Sequence, residues 1–385
     1  MSSKSAKTDT KMKIAIVHDY LSGFGGAERV LLSLTKIFPE APIYTAFYQV
    51  GSPAWERFAD RDVRVSWVHY IPFFAKKLHS PLRFIAPLIW NSFDFREYDV
   101  VIGSASWYVT KGFARKGEHT KELCYCHTPP RWLYGLPTSV EFQRFWPVRM
   151  YGLIVGHFMR IYDFYAAQRV DVFVANSHNV ARRIQKYYRR ESTVIYPPIP
   201  EQPTFTGERE DYYLIISRIV GGKGLDLAVK TAIKMGLCLK IAGKPEGWST
   251  EYQKLLDLVA ASKTAQVEFL GFVPDDGLQN LYGKARAFFA LAGDEDFGMT
   301  PVEAMMTGTP VIAFNGGGYR ESVVDGKTGV LFDELSEVGL AAAVKRFAQS
   351  KLWSPQKIHE HAMLFSEKVF EQKIKEKVEE LDARS

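Results

Sequence analysis

The chain has 385 residues, 46% hydrophobic and 24% charged, which is too long for one ordinary core and has the profile of a soluble globular protein of two domains. Its net charge of +6 is uneven: residues 1–200 carry 27 Lys and Arg against 16 Asp and Glu, so only the first half attracts an anionic surface or substrate as a whole. No run approaches the roughly 18 apolar residues of a spanning helix, and Cys124, Cys126 and Cys238 supply neither a disulfide framework nor zinc spacing, so a reducing compartment is expected.

The first eleven residues, MSSKSAKTDTK, are polar and lack an apolar stretch, which argues for a frayed tail and against a secretory signal. KIAIVH (13–18) reads as a short buried strand. A Gly-rich loop follows, then a helix in which Val30, Leu31, Leu34, Ile37 and Phe38 recur at helical spacing. YDVVIGS (98–104), ELCYCH (122–127), VDVFVANS (170–177) and TVIYP (193–197) continue the strand series, with helical stretches between several of them. PPIPEQPTFTGERE (197–210) gathers four prolines and marks a linker. The pattern then restarts with YYLIISR (212–218), LCLKIAG (237–243), QVEFLGFV (266–273), ARAFFALA (285–292), PVIAFN (310–315) and TGVLF (328–332), ahead of a helical region from about residue 336. Alternating strands and helices predict an α/β chain of two doubly wound, Rossmann-like domains facing a central cleft. The expected division is 1–200, a linker at 201–210, a second domain at 211–355, and a helical segment at 356–385.

Open parallel sheets bind ligands beyond the carboxyl ends of their strands. Four loops fall there. GFGG, ending in Gly25 and Gly26, lets backbone approach a ligand and leads into a helix N-terminus, although a tight turn would need the same residues. SRIVGGKG (217–224) sets Arg218 and Lys223 around glycines, a fork and a point charge suited to a diphosphate, or else two solvated cations. EDFGMTPVEAM (295–305) holds Glu295 and Glu303. Thr300, Pro301 and Glu303 spell a capping box, which accounts for Glu303 as a structural residue. Glu295 lies before that helix, where a carboxylate can accept hydrogen bonds from sugar hydroxyls while the amides of Met299 and Thr300 face an anion. His127 ends a strand ahead of a Thr-Pro-Pro turn, placed for function although a lone His is often structural.

Two stretches mix bases with aromatics and contain no acid. RVSWVHYIPFFAKKLHSPLRFIAPLIW (64–90) carries Arg64, Lys76, Lys77 and Arg83, and FQRFWPVRMYGLIVGHFMRIY (142–162) carries Arg144, Arg149 and Arg160. They suit the headgroup boundary of an anionic bilayer, or equally amphipathic core helices. Their large aliphatics and the lack of any recognition motif disfavour nucleic acid.

With these pieces placed, the chain resembles a retaining glycosyltransferase of the GT-B fold, in family 4. The resemblance rests on GGAERV, on SR and KG within 217–224, on FLGFVPDD (269–276), and above all on EDFGMTPVEAMMTGTPVIAFNGGGYRES (295–322). YCHTPPRWLYG and HDYLSGFGGAERV are most similar to bacterial mannosyltransferase-like members that build lipid-linked surface polysaccharides. The resemblance implies that Arg218 and Lys223 bind the donor diphosphate, met by amides near Gly25 and Gly26. It places Glu303 on the ribose, Glu295 with Phe297, Gly298, Met299 and Thr300 at the transferred sugar, His127 near the reacting carbon, and Phe272 and Val273 beside the base. Lys76, Lys77, Arg83 and Arg131 fall on the membrane or acceptor side.

The implied activity is transfer of a hexose, mannose from GDP-mannose first and a UDP-sugar second, to a lipid-linked or saccharide acceptor. It needs no metal, because two cations and a helix N-terminus answer the charge on the leaving diphosphate. The expected location is cytoplasmic, at the inner face of the cytoplasmic membrane. A silent nucleotide-sugar-binding subunit would have lost Arg218, Lys223 or Glu295, and an epimerase would not need the aromatic, basic stretches. A nicotinamide-dependent dehydrogenase is disfavoured by the missing G-x-G-x-x-G.

Overall fold

The structure is a computed structural model that describes residues 12–138, 146–245, 250–350 and 353–383. The N-terminal tail expected at 1–11, and Arg144 with its neighbours at 142–145, lie outside the described residues.

Seven parallel strands form the first sheet: β1 (Ile14–His18), β2 (Ile43–Thr45), β3 (Val63–Val65), β4 (Val100–Ala105), β5 (Lys121–Cys126), β6 (Val172–Ala175) and β7 (Thr193–Val194), in the order β3-β2-β1-β4-β5-β6-β7. Six more form the second: β8 (Tyr213–Ile216), β9 (Cys238–Ala242), β10 (Gln266–Gly271), β11 (Ala287–Ala290), β12 (Val311–Phe314) and β13 (Gly329–Phe332), in the order β10-β9-β8-β11-β12-β13. Both sheets are parallel and doubly wound, the class that the alternation predicts. β2 and β3 are absent from the sequence reading, because three residues are too few to show a period.

In each sheet the strand order reverses beside the first strand, between β1 and β4 and again between β8 and β11. Loops leaving the carboxyl ends of neighbouring strands part there and open a crevice. The Gly-rich loop leaves β1, the Arg218–Gly224 loop leaves β8, and the Glu295 loop leaves β11. Three of the four loops singled out in the sequence therefore stand at these reversals, and His127 stands one strand further along, after β5.

Helices of the first domain are α1 (Gly26–Ile37), α2 (Pro53–Phe58), α3 (Ala86–Asn91), α4 (Trp146–Gln168) and α5 (His178–Tyr188). The basic stretch at 64–90 is not one helix. Pro72, Pro81 and Pro87 break it into β3, short turns at Trp67–Tyr70, Phe74–Leu78 and Arg83–Ile85, and α3. Helices of the second domain are α6 (Leu225–Met235), α7 (Glu251–Ala260), α8 (Asp275–Lys284), α9 (Met299–Met306), α10 (Tyr319–Ser322), α11 (Glu337–Gln349) and α12 (Pro355–Ala362). α9 is buried from Pro301 to Met306, wrapped by β11, β12 and α12. A helix apolar all round has no solvent face, so its exposed N-terminal end is the part left for chemistry.

The chain crosses between the domains twice, and the two crossings pair with each other. Ile199 donates its N–H to the Phe365 carbonyl at 3.0 Å, and Glu367 donates back to the Ile199 carbonyl at 3.1 Å. α13 (Glu367–Asp382) then lies on the first domain, where Phe370, Ile374, Val378 and Leu381 join the core of Leu31, Leu34 and Tyr125. Their helical spacing puts one apolar stripe against α1 and β5. Ile374 is fully buried in this stripe. Ile374→Ala is expected to cost about 2–5 kcal/mol through lost burial and a residual cavity, read as a lower urea midpoint for the first domain.

Candidate active site

Between Ala290, which ends β11, and α9, the chain runs through Asp294, Glu295 and Asp296. Gly298 is the N-cap residue of α9 at φ 88°, and no side chain caps the helix. A Cβ at Gly298 would come 2.4 Å from the Tyr319 ring, so backbone angle and space both require glycine. The capping box expected from Thr300 and Glu303 does not form. Thr300 sits inside the first turn, and the Glu303 carboxylate is taken by better donors, Arg29 Nη1 from α1 and the Tyr282 hydroxyl at 2.7 Å. The N-terminal amides of α9 therefore face the crevice without a side-chain cap.

Lys223 and Glu295 meet at this helix end, with Nζ 2.7 Å from Oε2. The Gly-rich loop approaches from the other domain: a Cβ on Gly26 would come 3.2 Å from the Met299 sulfur. Gly25 N–H donates to Glu28 Oε2 at 2.8 Å, which fixes the start of α1. Arg218 lies close enough across the crevice for its charge to act on Tyr20, the second residue beyond β1. Burial raises that phenol, and Arg218 and Arg83 oppose the rise. Lys223 and Glu295, and Gly26 and Met299, thus come together between the domains, with Arg218 near Tyr20.

His127 follows β5 and is buried. Its Nε2 is 2.9 Å from the Ser104 hydroxyl, which is 3.0 Å from His18 Nδ1, and His18 Nε2 lies 3.6 Å from Glu28. Burial, and then the neighbouring His18, lowers the His127 pKa to about 3, so its imidazole is neutral at ordinary pH. A neutral, well-anchored imidazole suits hydrogen bonding to a sugar hydroxyl better than proton transfer at pH 7.

The aspartates that flank Glu295 are held from the first domain. Arg131 Nη1 is 3.2 Å from Asp294 Oδ2 and its Nη2 is 2.7 Å from Asp296 Oδ1. Arg183 of α5 lies 2.5 Å from Asp294 Oδ1, and pairs with Asp296 and with Thr128 at 2.9 Å. The N-terminal amides of α5, at His178 and Asn179, donate to the Glu321 carboxylate at 2.7 and 2.8 Å. Arg131, expected on the membrane or acceptor side, turns into the crevice, because two carboxylates outcompete solvent for its fork.

Two further expectations, for Phe297 and Arg83, change. Phe297 is buried against Tyr196 and Phe365, with ring centroids at 5.3 and 5.6 Å, so its side chain belongs to the core and only its backbone can meet a donor. Phe272 stands out from the end of β10 with Lys244 Nζ 4.9 Å from its ring, and Val273 is partly buried beside it. Lys76 and Lys77 are exposed, but Arg83 is not a surface cation: its guanidinium lies between the Trp107 and Trp132 rings. Sequence reasoning missed Arg29, Arg183, Ser104 and His18. Ser104 and His18 close the ends of β4 and β1 and could have been found by strand position, whereas Arg183 sits in ARRIQKYYRR, which reads as a solvated helix face.

Comparison with known proteins places this geometry. Residues 24–202 match the family described as Glycosyltransferase Family 4, and residues 199–363 match Glycosyl transferases group 1. The D-inositol 3-phosphate glycosyltransferase of Geodermatophilus obscurus is 28% identical over 51% of the chain and 49% of its own length, so the match spans about half of that relative. The α-1,3/1,6-mannosyltransferase ALG2 of Dictyostelium discoideum is 25% identical over 84% of the chain and 87% of its own length. Anabaena HepE, solved in complex with UDP and glucose, superposes with a TM-score of 0.68 at 19% identity, covering 96% of the chain and all of HepE, a likeness of fold.

The low His127 pKa has a stability consequence. Between pH 6.5 and about 3 the unfolded chain binds a proton at this position that the folded chain does not, so the His127 contribution to stability falls as pH drops through that window. His127→Gln, which keeps a group able to bond Ser104, is expected to flatten the pH dependence of the urea midpoint between pH 6 and 4 relative to wild type.

Proposed function

The chain belongs to the family 4, group 1 glycosyltransferases, and from that premise we propose that it moves a hexose from a nucleotide donor to a lipid-linked or saccharide acceptor with retention of configuration. GDP-mannose is the first donor to test and a UDP-sugar the second. The observation that carries this reading is the Lys223–Glu295 contact at the uncapped N-terminus of α9. A cation for a diphosphate and a carboxylate for sugar hydroxyls stand side by side where a sugar–phosphate bond would lie.

The chemistry follows from the charges. Breaking the bond between the sugar carbon and the phosphate oxygen puts negative charge on the diphosphate. Arg218, Lys223 and the α9 amides answer that charge where it develops. The acceptor hydroxyl attacks from the face the diphosphate leaves, forms the new carbon–oxygen bond, and passes its proton to the departing phosphate oxygen. Glu295 orients the sugar and neutral His127 supports it from the first domain. Glu303 holds the ribose hydroxyls once they replace Arg29, and Phe272 with Val273 borders the base. With a donor bound, Lys223 exchanges Glu295 for the donor's phosphates within its own domain, whereas Arg29 reaches Glu303 from the other domain, so its release requires the domains to part and close again.

The surface of the first domain supports a peripheral membrane location at the inner face of the cytoplasmic membrane. Trp146, Phe158 and Tyr165 of α4 are 76%, 67% and 61% exposed, alongside Leu153 and Ile154, and Tyr70 and Phe73 are 76% and 70% exposed. Lys76 and Lys77 supply charge for anionic headgroups. Among the described residues no helix is long and apolar enough to cross a membrane, so the contact is interfacial.

Lys223→Ala and Glu295→Ala are each expected to lower the transfer rate by about 10²–10³-fold with little change in melting temperature; turnover at the wild-type rate in both would overturn the assignment. Donor choice is read from a melting panel of GDP, UDP and their sugars, since a ligand of the native state raises the midpoint. Replacing Lys76 and Lys77 by Ala should weaken flotation with phosphatidylglycerol vesicles by roughly fivefold per lysine, at about 1 kcal/mol each, and flotation indifferent to both lysines and to anionic lipid would exclude a bilayer contact.

A further inference from the structure

One partly buried cation of the first domain is held by aromatic rings. Arg83 opens the short turn before α3, and its guanidinium carbon lies 5.0 Å from the Trp107 ring centroid and 4.9 Å from that of Trp132. Its Nε donates to the Ser80 carbonyl at 2.6 Å and its Nη2 to the Ser80 hydroxyl. Burial pulls its pKa down, and what opposes that pull are the phenols of Tyr108, Tyr151 and Tyr20. Among the described residues no carboxylate pairs with it. Partly buried charges are ordinarily paired, and three other arginines between the domains follow that rule: Arg29 with Glu303, Arg131 and Arg183 with Asp294 and Asp296. Two indole faces recover only part of the lost hydration.

The setting is built and not incidental. Tyr20, Trp107 and Trp132 come from the loops after β1, β4 and β5, the carboxyl ends of three adjacent strands. Asp19 accepts the Trp107 N–H at 2.5 Å and the Tyr108 N–H at 3.3 Å, and Thr110 donates to its other oxygen. Trp132 Nε1 donates to the Trp107 carbonyl at 3.1 Å, and the Tyr108 hydroxyl donates to the His79 carbonyl. Tyr20 stacks on Phe47 at 5.0 Å. The cluster is thus fixed before any ligand arrives. The charge of Arg218 reaches Tyr20 from the second domain, so the cluster looks toward the donor side of the crevice.

We propose that Arg83, Trp107, Trp132 and Tyr20 form the acceptor's subsite, and that the acceptor is a saccharide carrying a phosphoryl group next to the sugar that is extended. The guanidinium takes the phosphoryl oxygens as a fork takes a planar pair, and an aromatic face takes the apolar side of the sugar ring. A neutral saccharide would leave Arg83 without the partner its site is shaped for. This inference rests on the glycosyl-transfer reading and names the chemical class of its second substrate.

Tryptophan fluorescence tests it on the full chain, with saturating nucleoside diphosphate occupying the donor side. The probes are α-mannose 1-phosphate and methyl α-mannoside. Wild type is expected to bind the phosphate at least tenfold tighter than the methyl glycoside. Arg83→Gln should abolish that preference, Arg83→Lys should keep part of it, and Lys223→Ala should keep all of it. The melting shift given by the nucleoside diphosphate should be the same in wild type and both Arg83 variants, which shows that they are folded. Equal binding of the two probes by wild type, or an unchanged preference in Arg83→Gln, overturns the inference. So does a preference lost in Lys223→Ala and kept in Arg83→Gln, because the probe would then be reading the donor side. Absence of any nucleoside-diphosphate shift in wild type would instead count against glycosyl transfer, while the phosphate preference at Arg83 would stand or fall on its own titration.

Discussion

Two arginines of one domain hold two aspartates of the other, and the aspartates flank Glu295. Arg131 and Arg183 each contact both Asp294 and Asp296. The four side chains form a charge-balanced set, and each guanidinium fork meets oxygens from two carboxylates. The set decides three things together: how far the domains close, where the loop before α9 runs, and which way Glu295 points. With Asp294 and Asp296 turned to the first domain, the residue between them turns the other way, toward Lys223. Loss of one member would leave its partners partly buried and unbalanced, which is the costly way to break such a set.

Around that clamp the crevice distributes charge by location. Carboxylates on the second domain meet cations from the first at its edges, through Arg29 with Glu303 and through Arg29 and Arg57 with Asp275. Glu321 closes the opposite edge on the bare amides of α5. Lys223 belongs to the same domain as Glu295, so their contact holds nothing closed. It can be surrendered to a ligand without parting the domains, whereas the Arg29–Glu303 contact cannot. Freeing the Glu303 carboxylate therefore depends on domain motion, and freeing the Lys223 ammonium does not.

What could be read from the sequence divides along the same line. Arg218, Lys223 and Glu295 were legible because loops at the carboxyl ends of parallel strands are few, and a carboxylate or cation among glycines there has little structural work to do. Both sheets were legible through alternation, except β2 and β3, whose three residues carry no period. Thr300 and Glu303 misled because a capping box is a local pattern, while Arg29 and Tyr282, which claim Glu303, are distant in the chain. The partners of Arg131 and Arg83 were hidden in the same way: from the sequence both fall on the membrane or acceptor side, yet one finds carboxylates and the other two indoles. Pairings between residues this far apart in the chain leave no mark in a local window, and these pairings aim the site.

The stretch 127–138 shows why the two faces of the first domain are not independent. At one end it carries His127, anchored to Ser104. In the middle Arg131 grips the donor loop and Trp132 lies against Arg83. Further on, the Tyr134 hydroxyl donates to Asp163 of α4 at 2.6 Å, and Arg160 of α4 donates to the Leu133 carbonyl at 3.1 Å. Asp163 is fully buried and also paired with Lys111, so that anchor cannot rotate away into solvent. α4 presents its apolar residues outward while its inner face holds the same short stretch that orients the donor loop. The links from α4 to the stretch that carries Arg131 are hydrogen bonds to the buried Asp163 carboxylate and to the Leu133 carbonyl. The exposed apolar face of α4 and the clamp that aims Glu295 are thus two sides of one packed unit.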